Sequence, residues 1–330
     1  MRALIAGHWS GPGGRGGLPA SAALALFARG FREAAPGWEA EAIPFGPGAA
    51  FAEAVSRAPA RGLAPIPVGI EEASTRRAGE QVLGALEAGL VPVVEGGHSI
   101  DSDAGLGMLS ALSGAELAGD AASIERDVPS ALDAARRRLS GRDLVAAAST
   151  ARPLLGMASV MALGVDLEPR PLQDRDITSA LSRVFRSAGP ARTALPLAGD
   201  PAPGRDPSRL PGSGAAGGAA AMILALGGRL VPTGDLLADV TDLGSRLDLA
   251  DLVVVAEPLL HSPHLADATL DTVTRAAASR ALPVVALGSE SSLSAHEAAE
   301  WGIHGILVVR DSRDALVEGG RRVARTWART

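Results

Sequence analysis

Short apolar runs alternate along this chain with stretches whose apolar side chains recur at helical spacing, the pattern of α/β units built on parallel strands. Residues 2–6 read as a strand. Residues 20–34 then read as an amphipathic helix behind the start signal Pro19. A second helix is expected over 75–88, stopped by Gly89, with the apolar run 90–94 as the strand after it. Towards the C-terminus, 252–255 and 283–287 are apolar enough to be strands buried on both faces. A helix over 267–281 joins them, and 305–309 reads as a further strand. The stretch 199–211 is rich in Pro, Gly, Asp and Arg and is expected to be a linker. No internal repeat and no long low-complexity tail interrupts the pattern.

Composition narrows the chemistry. A length of 330 residues suggests about two domains, and an apolar fraction of 47% is ample for buried cores. Aromatics make up only 3%, so those cores must be built from Ala, Leu and Val. Lys, Asn, Tyr and Cys are absent, and all 31 basic residues are therefore Arg. No lysine can hold a phosphate, no thiol can attack, and no disulfide can form. A net charge of −6 gives no general attraction to nucleic acid or to anionic membranes, so neither is expected as a partner. The apolar start Met1-Arg-Ala-Leu-Ile-Ala-Gly7 is too short for a signal peptide, and no run reaches transmembrane length. A soluble cytoplasmic protein is the expectation.

Three glycine-rich or acidic segments carry the candidate chemistry. In Leu210-Pro-Gly-Ser-Gly-Ala-Ala-Gly-Gly218, glycines 212, 214, 217 and 218 precede an apolar helix over 219–227. Exposed N–H groups at such a helix start suit a carboxylate or phosphate, but the same residues also make a tight packing turn. The loop Gly11-Pro-Gly-Gly-Arg-Gly16 matches G-x-G-x-x-G formally. Gly7-His-Trp-Ser10 separates it from the strand, and no second strand ends in an acid at the required place, which argues against a dinucleotide site. Arg15 is its one cation, and the loop serves either as an anion contact or as a solvent-facing turn. In the segment from Gly96 to Met108, Asp101 and Asp103 straddle a loop after a strand. One carboxylate there is expected to cap the helix starting near Ala104, leaving the other to orient a hydroxyl or hold a hydrated magnesium ion. His261-x-x-His264 has the spacing of a metal pair but no clear third ligand, and a plain loop carries more weight. His98, His296 and His304 are expected at the surface or in packing.

Taken together, these segments resemble the type I glycerate kinases. The family's Leu-Pro-Gly-Ala-Gly-Ala-Ala-Gly-Gly turn stands at 210–218. Its opening Asp-Ser-Phe-Lys-Gly-Ser-Leu-Ser-Ala places His8 at the aspartate and Arg15 at the lysine. Phe45-Gly-Pro-Gly-Ala49 stands where the family has Asp-Gly-Gly-Glu-Gly, without either acid. Gly-Gly-Ser-Ala-Thr-Asn-Asp-Gly-Gly-Ala-Gly-Met aligns its aspartate with Asp103. Cys-Asp-Val-Asp-Asn-Pro-Leu falls on 148–154, with Pro153 and Leu154 in register and Ser149 and Ala151 replacing the aspartates. Of the acids in Thr-Gly-Glu-Gly-Arg-Leu-Asp-Gly-Gln-Thr only Glu257 survives, and His261 stands at the Asp.

The resemblance implies an α/β protein of two domains with an active cleft between them. A Rossmann-like parallel-sheet domain would comprise 1–62 and 205–330, with a shortened second α/β domain inserted at 63–204. The implied activity is phosphorylation of glycerate with ATP and Mg2+ as cofactors. Asp101, Asp103 and Glu257 would be its catalytic acids, and Arg15, Gly16, Ser213, Gly214, Gly217 and Gly218 its substrate- and phosphate-binding residues. The missing acids imply weak or lost turnover. The alternative is an inactive relative that binds a small anion or a protein partner. A small anionic substrate or a nucleotide is the expected ligand, and a homo-oligomer is compatible with everything above.

Overall fold

The structure is a computed structural model that describes residues 1–9, 18–97, 103–162, 175–188, 206–261 and 270–328. In chain order its elements begin β1 (Arg2–Gly7), α1 (Ala20–Ala34), β2 (Glu39–Pro44), α2 (Ala49–Ser56), β3 (Leu63–Pro67), α3 (Arg76–Glu87), β4 (Val91–Gly96) and α4 (Leu106–Ser113). They continue with α5 (Ala121–Leu139), β5 (Val145–Ala148), α6 (Arg175–Ser187), α7 (Ala219–Ala225), β6 (Arg229–Pro232), α8 (Thr233–Val240), α9 (Leu243–Leu247) and β7 (Leu252–Ala256). The last are β8 (Leu259–Leu260), α10 (Leu270–Ala278), β9 (Val284–Gly288), β10 (Glu290–Ser291), α11 (Ala295–Glu300), β11 (Gly305–Val308) and α12 (Arg313–Trp327). Among the described residues no helix is long and apolar enough to cross a membrane.

These elements fall into two compact units. The first joins Met1–Arg61 to Thr233–Thr330 around a five-stranded parallel sheet ordered β11-β9-β7-β1-β2. Its central strands are apolar on both faces, as a parallel sheet covered on both sides requires: Leu252-Val-Val-Val-Ala256 is buried throughout. The apolar stripe of α1, with Leu24, Phe27 and Phe31, packs with Val323 of α12 and with Ile5, Val254 and Leu287 of the strands. Strand β1 sits where the order reverses. The chain proceeds from β1 to β2 on one side and from β7 through β9 to β11 on the other. In open α/β sheets the crevice at the carboxyl ends of such a pair is the usual ligand site.

The second unit, Gly62–Pro232, is built on a four-stranded parallel sheet ordered β3-β4-β5-β6. Its core holds Val82, Val94, Met108, Leu112, Ile124, Phe185 and Met222. The chain returns to the first unit at 232/233, later than the 204/205 expected, because β6 pairs with β5 (Val145 opposite Arg229) and brings α7 into this core. The described part of the expected linker is structured too. Pro207–Arg209 forms a 3-10 turn under an Asp206 cap, and Ser208 is fully buried. Residues 199–205 lie outside the described residues. Strand β3 was hidden in the sequence by Pro65 and Pro67, which it tolerates because it is an edge strand. Helix α5 runs through Pro129 and starts from a cap in which the Asp120 carboxylate accepts from Ser123 N.

Candidate functional site

The switch point of the first unit brings together two of the residues singled out in the sequence. Gly7 ends β1 at φ +153°, and a Cβ there would lie 2.1 Å from the Ala256 carbonyl oxygen, so only glycine lets β1 and β7 approach this closely. Beyond it the His8 N–H donates to Ala256 O at 2.9 Å, and the Glu257 N–H donates to Leu287 O at 3.0 Å. The two side chains meet with His8 Nε2 3.4 Å from Glu257 Oε1. Phe45, Val255, Leu270 and Val273 wall the Glu257 side with hydrocarbon.

Burial disfavours the charged form of both groups. It pushes the Glu257 carboxyl up to about 8 and the His8 imidazole down to about 4. Near neutral pH both groups are therefore uncharged, with Glu257 O–H able to donate to Nε2 when the ring proton is on Nδ1. His8 Nδ1 is buried and has no hydrogen-bond partner among the described residues. Unsatisfied buried nitrogens are rare in folded proteins and cluster where a structure does chemistry or binds.

Asp103, expected as a catalytic acid, is committed elsewhere. Its Oδ2 accepts from Ser74 Oγ at 2.9 Å, Thr75 N at 2.8 Å and Gly107 N at 3.0 Å. Its Oδ1 accepts from Thr75 Oγ1 at 2.9 Å and Gly105 N at 3.0 Å. The carboxylate thus joins the N-termini of α3 and α4, satisfying helix-start amides that have no partner within their own helices. The capping role expected for one of the two aspartates belongs to Asp103, and its lone pairs are spent on it.

The glycine loop is corrected in the same way. Gly212 through Ala220 are all buried. Gly212 N donates to Ala151 O, Gly214 N to Arg152 O and Ala216 N to Gly97 O, each within 3.0 Å. Gly218 N turns back to Ala215 O at 3.1 Å. Ser213 Oγ donates to Ser208 O and accepts from Leu154 N, both at 3.0 Å. Gly217 is buried with the rest. Ser213, Gly214, Gly217 and Gly218 therefore form the tight packing turn and offer no open row of N–H groups to an anion. The expected helix start is real, with α7 beginning after Gly218 in the left-handed region.

The family's sequence profile, described as the glycerate kinase family, matches residues 52–328. The chain belongs to the glycerate kinase family. It is 31% identical over 251 residues to uncharacterized proteins of Mycobacterium bovis (strain ATCC BAA-935 / AF2122/97) and Mycobacterium tuberculosis (strain CDC 1551 / Oshkosh). Those alignments cover 75% of this chain and 58% of each relative, so the chain spans less than two thirds of their length. A crystal structure described as a glycerate kinase 2 from Salmonella typhimurium LT2 superimposes with a TM-score of 0.71 at 22% identity, covering 99% of this chain and 97% of that one. At that identity the likeness shows the fold alone.

Among the described residues of this glycerate kinase family chain, no group of three or more metal-ligating side chains converges. Asp103 has its acceptor capacity taken up by two helix starts, and burial raises the Glu257 carboxyl to about 8. His261 is not a ligand in any such group: its Nδ1 meets Ser292 Oγ, and Nε2 lies 3.9 Å from Glu290 Oε1. His296 sits at the surface beside Glu300, and His304, also exposed, accepts from Val284 N. Arg15, Gly16, His98, Asp101 and His264 lie outside the described residues.

One acid escaped the sequence reading. Glu95, fully buried at the end of β4, accepts from Ser149 Oγ at 2.5 Å. Ser149 is the residue that stands where the resemblance puts an aspartate. The signal was present, since a carboxylate interrupts the apolar run Val91-Pro-Val-Val just before two glycines.

Proposed function

We propose that this chain is a glycerate kinase family protein in which ATP- and Mg2+-dependent phosphorylation of glycerate, or of a similar small hydroxy acid, is weak or lost. One observation carries this reading: both described acids on which the family resemblance would rest catalysis are already committed. Asp103 gives all its acceptor capacity to two helix starts, and Glu257 shares a proton with His8 in an apolar recess. Phosphoryl transfer depends on positioning and on neutralising the charge of the transferred group. Losing one preorganised electrostatic group costs about a hundred- to a thousandfold in rate. The buried turn at 212–218 removes a second expected source of such stabilisation.

A second reading is favoured by an arginine-lined cavity in the inserted unit: an inactive relative that binds a small anion. An ADP-release assay coupled to a visible readout, run over glycerate and other small hydroxy acids, tests the first. We expect turnover far below the typical enzyme value of about 10 per second. Turnover of glycerate on that order, with saturation in ATP–Mg2+, would sink the proposal.

A further inference from the structure

Helix α6 is amphipathic in an unusual setting. Ile177, Ala180, Leu181, Val184 and Phe185 enter the core of the inserted unit. Ser179, Ser182, Arg183 and Arg186 repeat at i, i+3, i+4 and i+7 along the polar side. A face of this kind normally meets bulk solvent. Here the turn at 155–162 and Arg209 border it, and together they line an open cavity of about 400 Å³, within the size range of small-molecule sites, with the three arginines still exposed to solvent.

The turn is a fixed wall. Leu155 and Val160 are buried, Leu155 N donates to Ser208 O at 2.9 Å, and Val160 N donates to Pro153 O at 3.0 Å. Ser159 Oγ ties the turn to itself by donating to Gly156 O at 2.6 Å and accepting from Ala162 N at 3.2 Å.

Among the described residues the lining contains three guanidinium groups and no carboxylate. Arg183 is neutralised by an ion pair with Glu125. Arg209 is aimed by Asp206, whose Oδ2 lies 3.4 Å from its Nε and has no hydrogen-bond partner of its own among the described residues. Arg186 has only the Ser182 hydroxyl, at 3.4 Å, and forms no ion pair among the described residues. Among the described residues the cavity therefore carries a cation with no ion-pair partner. The Ser182 and Ser179 hydroxyls line it beside that cation, and Leu155 and Met161 offer a short apolar wall.

We propose that this cavity binds the oxyanion of a small carboxylated or phosphorylated compound, held by Arg186 and Arg209 with the Ser179 and Ser182 hydroxyls as further partners. Guanidinium forks suit either oxyanion. The proposal rests on the small-anion reading above and is independent of any phosphoryl transfer. It also moves the anion site away from the glycine loop, whose amides are already used.

Titration calorimetry of the whole chain in low-salt buffer tests it, with inorganic phosphate and glycerate as separate probes. Arg186→Gln and Arg209→Gln are compared with Arg77→Gln, an exposed arginine on α3 that does not line the cavity. Melting curves confirm that each variant is folded. We expect wild type and Arg77→Gln to bind alike, Arg186→Gln and Arg209→Gln each about tenfold more weakly, and Arg186→Lys to recover part of the loss. Tighter phosphate than glycerate assigns a phosphorylated ligand, and the reverse a carboxylated one. Unchanged affinity in both cavity variants overturns this site while leaving the small-anion reading in place. A wild-type chain that binds neither probe overturns both.

Discussion

Glu257 and His8 sit in opposite positions relative to their ordinary titration, and stability should follow. The His8 imidazole, lowered from 6.5 to about 4, gives up its proton more readily in the fold, so its contribution is lost as pH falls from 6.5 towards 4. The Glu257 carboxyl, raised from 4.5 to about 8, keeps its proton in the fold, so its contribution is lost as pH rises from 4.5 towards 8. Between 4.5 and 6.5 the two slopes cancel; from 6.5 to 8 only the glutamate acts, and stability should fall by about 2 kcal/mol. Urea unfolding at each end of that window measures the fall, and Glu257→Gln should abolish it. A second residue-scale expectation concerns Asp103. Replacing it with Ala strands the amides of two helix starts and should cost about 3 kcal/mol or more in the same assay, whatever happens to ligand binding. A change in ligand affinity with unchanged stability would refute the joint. Sequence alone could name Asp103 and Glu257 but not their roles. Capping and catalysis ask for the same carboxylate, and the partner of Glu257 lies at the opposite end of the chain.

At the level of elements, the glycine turn shows why a motif is less than a site. Four glycines before an apolar helix specify a close approach, and they do so equally whether the approaching group is an anion or the protein's own backbone. Here it is backbone: a Cβ on Gly218, at φ +83°, would lie 2.7 Å from Ala104 Cα. Gly218→Ala should therefore destabilise the chain by about 3 kcal/mol or more, from strain and overpacking together. The phosphate affinity of the folded fraction should stay unchanged, and weaker phosphate binding without loss of stability would contradict the packing reading. The strands and helices with strong periodicity were legible, since 20–34 and 252–255 match α1 and β7 almost residue for residue. Strand β3 was not, because its prolines mimic a loop unless the strand is known to lie at an edge. The polar face of α6 was readable as a helix face, but only the turn above it makes that face the wall of a cavity.

For the whole molecule, the parallel strands could be read from their apolar runs, whereas their distribution between two sheets could not. Pairing is set by partners far apart in sequence, and for that reason the stretch 205–232, with β6 in it, lies in the inserted unit and not in the first one as expected. The inserted unit, 62–232, is continuous in sequence and has its own sheet and core. Expressed as a fragment it should fold and unfold in a single cooperative urea transition; a fragment without native-like far-ultraviolet dichroism would show that it depends on its neighbour. The first unit has no such independence. Its interior strand β1 is flanked by β2, from the same side of the insertion, and by β7, from beyond it. On the ribosome residues 1–61 must therefore wait, with Phe27 and Phe31 of α1 lacking their α12 and β7 neighbours, until the strands and helices beyond the insertion have been made. The insertion can finish folding during that delay, while residues 1–61, synthesised before it, find their place after it, and are the ones most in need of a chaperone's protection.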